Sequence, residues 1–195
     1  MFVASLLAAG TAYASTLESV EEKLQSLKTI QADFEQKRVL KGVDAPLVST
    51  GTLTLIRSRG LIWDQTAPFA QTAILTASKF KLTVEGDAVQ DARVSDNPAM
   101  RAMMTTLTAL FEGNFSEIRP LFDLAFEDLN NNHWRIVLKP KEDRLKQLFA
   151  EITLEGGDAI TNVAMTDKNG DVTTLVFTHQ VFNKPAARKV LDALL

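Results

Sequence analysis

The most constraining feature of this sequence is a period of two. From Ile30, the apolar side chains Ile30, Ala32 and Phe34 alternate with Gln31, Asp33 and Glu35, and similar alternation returns at 52–57, 61–65, 72–75, 80–84 and 89–94. It resumes at 122–128, 134–138, 152–155, 160–167 and 172–179. Alternation puts successive side chains on opposite faces of a strand, so each segment reads as a half-buried β-strand. Gly60, Pro68, Glu85-Gly86-Asp87 and Asn169-Gly170 supply turn chemistry between them. About eleven strands are expected. Helical and strand patterns do not alternate as βαβ units, and no Pro/Gly/Ser linker divides the chain. One antiparallel α+β domain over 15–195 is therefore favoured over a doubly wound sheet.

Helical periodicity occurs in a few places only. Leu17, Val20, Leu24 and Leu27 recur at three and four residues with Glu18, Glu21, Glu22 and Lys23 between them, which predicts an amphipathic helix capped by Ser15 and Glu18. A second helix is expected from Asn97 as cap and Pro98 at its first turn to Gly113 past its end. Its apolar face is Met100, Met103, Met104, Leu107, Leu110 and Phe111. A terminal helix is expected over 186–194, after Pro185.

Residues 1–14 carry no charge, and their apolar run is far shorter than the roughly 20 residues of a spanning helix. They end in Ala12-Tyr13-Ala14, the small-x-small pattern of a secretory signal, so cleavage after Ala14 and export are expected. The chain has no cysteine, hence no disulfide and no acylation site for an N-terminal lipid anchor.

Composition removes much chemistry. A net charge of −3 gives no basic excess for a nucleic acid or an anionic membrane. Two histidines, His133 and His179, cannot build a three-histidine metal site, and both fall at strand ends. Nucleophile-elbow, dinucleotide and phosphate-loop motifs are absent. Asp167, Asn169 and Asp171 resemble the start of a calcium loop, but Val172 and Thr178 stand where Gly and Glu are required. No catalytic residue, metal or cofactor is assigned. A carboxylate pair such as Asp33 with Asp64 stays formally open, because it depends on a separation that sequence does not give. The buried face of so many alternating strands can close on a solid core or surround a lipid-sized hollow, and the pattern does not choose.

One ordered stretch is more specific: Gly51-Thr-Leu-Thr-Leu-Ile-Arg57-Ser58-Arg59-Gly60-Leu61-Ile-Trp63, closed by Thr66-Ala67-Pro68. With Ile30 to Gln36 upstream and Trp134 to Lys141 and Asp167 to Thr174 downstream, it resembles the LolA family of periplasmic lipoprotein carriers over nearly all of 15–184. The resemblance implies an incomplete β-barrel of eleven antiparallel strands under a helical lid. It also implies a monomeric periplasmic carrier that takes acyl chains of lipoproteins from an inner-membrane releasing transporter to an outer-membrane acceptor. By similarity Leu53, Leu55, Leu61 and Trp63 face the concave side, as do Phe34 and Ile74. Leu24, Met100, Met103 and Met104 line the lid. Arg57 would point inward and bond lid backbone, latching the closed, empty state. Ser58 stands where the family commonly has Pro, and Lys79 to Val84 lacks the family's Trp and Tyr residues, so a different lipid or acyl conjugate is the alternative cargo.

Overall fold

The computed structural model describes residues 15–93, 106 and 108–194. Eleven antiparallel strands form a single sheet in the order β6-β5-β4-β3-β2-β1-β11-β10-β9-β8-β7. The first wing comprises β1 (Thr29–Val39), β2 (Leu47–Ile56), β3 (Gly60–Ala67), β4 (Gln71–Leu75), β5 (Lys79–Val84) and β6 (Asp87–Arg93). The second comprises β7 (Phe122–Asn130), β8 (His133–Pro140), β9 (Glu151–Gly156), β10 (Ile160–Thr166) and β11 (Val172–Phe182). Each wing is a meander of hairpins, and the long pair β1–β11 joins them, with Phe34 opposite Phe177. Among the described residues the edges, β6 and β7, have no further strand partner, and they carry exposed Asp87, Asp91 and Asp123, charges that discourage edge-to-edge association.

The expected strands all form. The Asn169-Gly170 turn is a hairpin in which Asp167 Oδ1 accepts the N–H groups of Asn169 and Asp171, so this carboxylate serves the turn. Glycine is decisive at Gly51, where a Cβ would come within 2.1 Å of the Asp64 carbonyl oxygen. That close approach coincides with a register shift between β2 and β3, the local irregularity that bends a strand pair.

The sheet curls strongly. Phe80 on β5 and Leu154 on β9 line one cavity although they lie seven strand spacings apart, roughly 34 Å in a flat sheet. The helices pack over the concave face. The first, α1 (Leu17–Ser26), buries Leu17, Val20 and Leu24. It is capped by Thr16 and Ser19, not by the expected Ser15 and Glu18. The displacement has a cause, because the Ser15 N–H is tied to Asp128 Oδ2 of β7 at 3.1 Å and the helix starts two residues later. The expected second helix is seen at 106 and 108–112, where Ala109, Leu110 and Phe111 are buried. Its earlier part, including Asn97, Pro98, Met100, Met103, Met104 and Leu107, lies outside the described residues, as do residues 1–14. Short helices at Phe115–Ile118 and Asp143–Lys146 had no periodic signal, and the terminal helix spans Arg188–Ala193. No described helix is long and apolar enough to cross a membrane.

Candidate functional site

The concave face contains both a solid core and a hollow. Near the Arg57 end of the sheet, Leu24 of α1 meets Ile30, Ala32, Leu53, Phe111 and Phe177 around a gap of only about 10 Å³. Leu53 and Leu55 are each 1% exposed. Phe34 stacks on Trp63 at 3.8 Å between centroids, and Trp63 and Phe111 each meet Phe177 edge-on. This cluster is packed like any protein interior.

Beside it opens a cavity of about 250 Å³. Leu61, Trp63, Ala73, Leu75 and Phe80 form its wall on the first wing. Ile152, Leu154, Ile160, Val163, Met165 and Leu175 form it on the second, and Leu110 and Phe111 approach from the helical layer. Gln36 completes the lining among the described residues. Such a space binds hydrocarbon in preference to water, since water needs polar partners to enter.

Of the residues expected to line it, Leu61 and Trp63 do so directly. Phe34, Leu53, Leu55 and Leu24 lie in the adjoining core. The expectation for Ile74 is corrected. Trp63 pairs with Ala73, which places Ala73 and Leu75 on the cavity face, while Ile74 pairs with Ile62 and Lys81 on the other face. Thr72 and Ile74 alternate as well as Ala73 and Leu75 do, and the register with β3 decides between them. Met100, Met103 and Met104 lie outside the described residues.

Arg57 follows β2 directly and reaches the backbone of two helix ends. Its Nε donates to the Leu27 carbonyl at 3.0 Å, and its Nη2 donates to the carbonyls of Leu24 at 2.9 Å and Glu112 at 2.7 Å. Nη1 lies 3.8 Å from Glu112 Oε2, and Glu112 Oε1 accepts the Ser58 N–H. The last carbonyls of a helix lack intrahelical donors and carry partial negative charge. A guanidinium, with five fixed donors and a permanent positive charge, satisfies several at once. The ion pair is largely sheltered, with the Arg57 and Glu112 side chains 23% and 17% exposed. Arg57 thus fastens both helices to the end of β2.

Glu112 and Gly113 were not singled out as site residues. Gly113 has φ +66°, and a Cβ on it would stand 2.4 Å from the Leu24 Cβ, so its lack of a side chain lets the two helix ends close to the distance Arg57 spans. Its placement after a helical stretch was the available signal. Glu112 has no comparable sequence signature. His133 and His179 are exposed at strand positions, and His179 Nδ1 lies 2.8 Å from Asp33 Oδ2 outside the cavity lining.

The chain is similar in sequence to known proteins. The model of the family described as outer membrane lipoprotein carrier protein LolA matches residues 25–191. An outer-membrane lipoprotein carrier protein of Methylococcus capsulatus is 26% identical over 157 residues, covering 80% of this chain and 72% of the relative. Among solved structures, a LolA superfamily protein from Nitrosomonas europaea is 12% identical with a TM-score of 0.49, covering 91% of this chain and 97% of its own. A putative outer membrane lipoprotein-sorting protein domain from Vibrio parahaemolyticus is 11% identical with a TM-score of 0.45, covering 92% and 99%. The family match runs from within the first helix to within the last and leaves no strand of the sheet outside it; the chain belongs to the LolA family of outer membrane lipoprotein carrier proteins.

Proposed function

We propose that this protein is a periplasmic carrier that shields lipid acyl chains of lipoproteins in the sheet cavity and moves them from the inner to the outer membrane. The observation that carries the reading is the apolar cavity beneath helices whose ends are held by one arginine. Each methylene removed from water contributes about 0.8 kcal/mol, so a multiply acylated cargo does not leave a membrane unaided at a useful rate. An inner-membrane transporter would load the carrier and an outer-membrane acceptor would unload it. The role is binding and transfer, with no bond made or broken.

A carrier must also release. Phe111 touches both the core aromatics and the cavity, so widening the cavity for a long chain displaces the helix end that Arg57 holds. Opening costs the Arg57 bonds, and that cost offsets part of the cargo's binding free energy. Arg57→Leu removes the latch and leaves the cavity wall intact. The variant is expected to hold fluorescent acyl lipid longer and to transfer it to acceptor vesicles several-fold more slowly than the parent. Unchanged or faster transfer contradicts the latch.

A further inference from the structure

One side chain of the cavity wall differs from the others. Among the described residues, fourteen line the cavity; thirteen are apolar and the exception is Gln36. It lies two residues beyond Phe34 on β1, hence on the same face, and pairs with Leu175, itself part of the wall. The side chain is half-buried, and its amide makes no hydrogen bond with any described residue. On β1 it stands six residues beyond Ile30, roughly 20 Å along the strand toward the end away from Arg57.

A free amide in an apolar wall sets a condition on what can fill the space. When a hydrocarbon ligand displaces the water that solvates Gln36, the amide loses hydrogen bonds unless the ligand returns one. An alkyl chain or a thioether, whose sulfur accepts only weakly, offers little. A neutral carbonyl offers an acceptor for the amide N–H, and an amide linkage also offers a donor for the carboxamide oxygen. An ionised carboxylate would need a cation, and among the described residues none lines this cavity; the donors of Arg57 are engaged at the helix ends.

We infer that Gln36 is a specificity-determining residue that donates a hydrogen bond to the ester or amide carbonyl of a bound acyl group, so that the cavity selects neutral acyl esters and amides over thioethers and ionised fatty acids. The inference rests on the carrier reading above. It fixes how deep a chain inserts, with the carbonyl at Gln36 and the hydrocarbon running toward Trp63 and Leu61.

The test is displacement of an apolar fluorescent dye from the full chain by three ligands of equal chain length: a fatty-acid methyl ester, the matching alkyl methyl thioether, and the ionised fatty acid. One net hydrogen bond corresponds to about a fivefold preference for ester over thioether. In Gln36→Met, which keeps the side-chain length and removes the amide, that ratio is expected to fall to about one while both ligands still displace the dye. Because the ratio is taken within each protein, partial unfolding of the variant does not create or hide the effect. Equal affinities in the parent, an undiminished ratio in the variant, or tightest binding of the ionised acid overturns the role of Gln36 with the carrier reading intact. If no ligand displaces the dye from the parent, the carrier reading fails and this one with it.

Discussion

Arg57 and Gly113 show how closely the helix ends are fitted. Arg57 supplies the donors, and Gly113 supplies the proximity that lets them reach Leu24, Leu27 and Glu112. In Gly113→Ala the new methyl must occupy a left-handed backbone position and meets the Leu24 Cβ, which no rotamer change moves. Left-handed strain and overpacking together are expected to destabilise the protein by about 2–4 kcal/mol in urea unfolding. A loss below about 1 kcal/mol would mean that the helix ends are not packed as described. Arg57 was legible from its place after an alternating strand, through the resemblance that gave it a role. Glu112 was not, because its relevance comes from a fold that brings it 55 residues back along the chain to Arg57.

At the scale of elements, the strands were the readable part, since each is half-buried and period two marks that directly. Face assignment was less readable where both faces carry apolar side chains, as at Ala73, Ile74 and Leu75. The first helix is held to the second wing as well as to Arg57. Lys23 Nζ donates to Asp158 Oδ1 at 3.0 Å and to Asn132 Oδ1 at 2.8 Å, joining α1 to the turns β7–β8 and β9–β10. The Lys23 hydrogen bond, with help from Asn132, holds the Asp158 carboxyl below its ordinary range. A lowered carboxylate pKa stabilises the fold above the unfolded value near 4, and the contribution is lost as pH falls through the folded value. Asp158 is largely exposed, so Asp158→Asn is expected to cost no more than about 0.5 kcal/mol at pH 7. The difference from the parent should shrink in high salt and vanish at acid pH below the usual carboxylate range. Chemical denaturation at neutral and acid pH measures it, and a difference that grows toward acid contradicts the assignment.

Across the whole molecule, the decisive property is curvature. Strand alternation left open whether the buried face closes on itself or surrounds a space, because that choice depends on how far eleven strands curl and on where the helices sit. The structure contains both outcomes side by side: a packed cluster around Phe34, Leu53 and Phe177, and a cavity walled by both wings. The packed part gives the protein a stable fold, and beside it the described lining of the cavity is almost wholly apolar. On the proposed reading, acyl lipid occupies that cavity in the native setting. The direct measurement is native mass spectrometry of the protein purified gently from its own envelope, followed by extraction and identification of what is bound. A population carrying a triacylated lipoprotein or, for the alternative cargo, another acyl lipid is expected. Recovery of protein that is always empty, and that takes up no added acyl lipid, would contradict it.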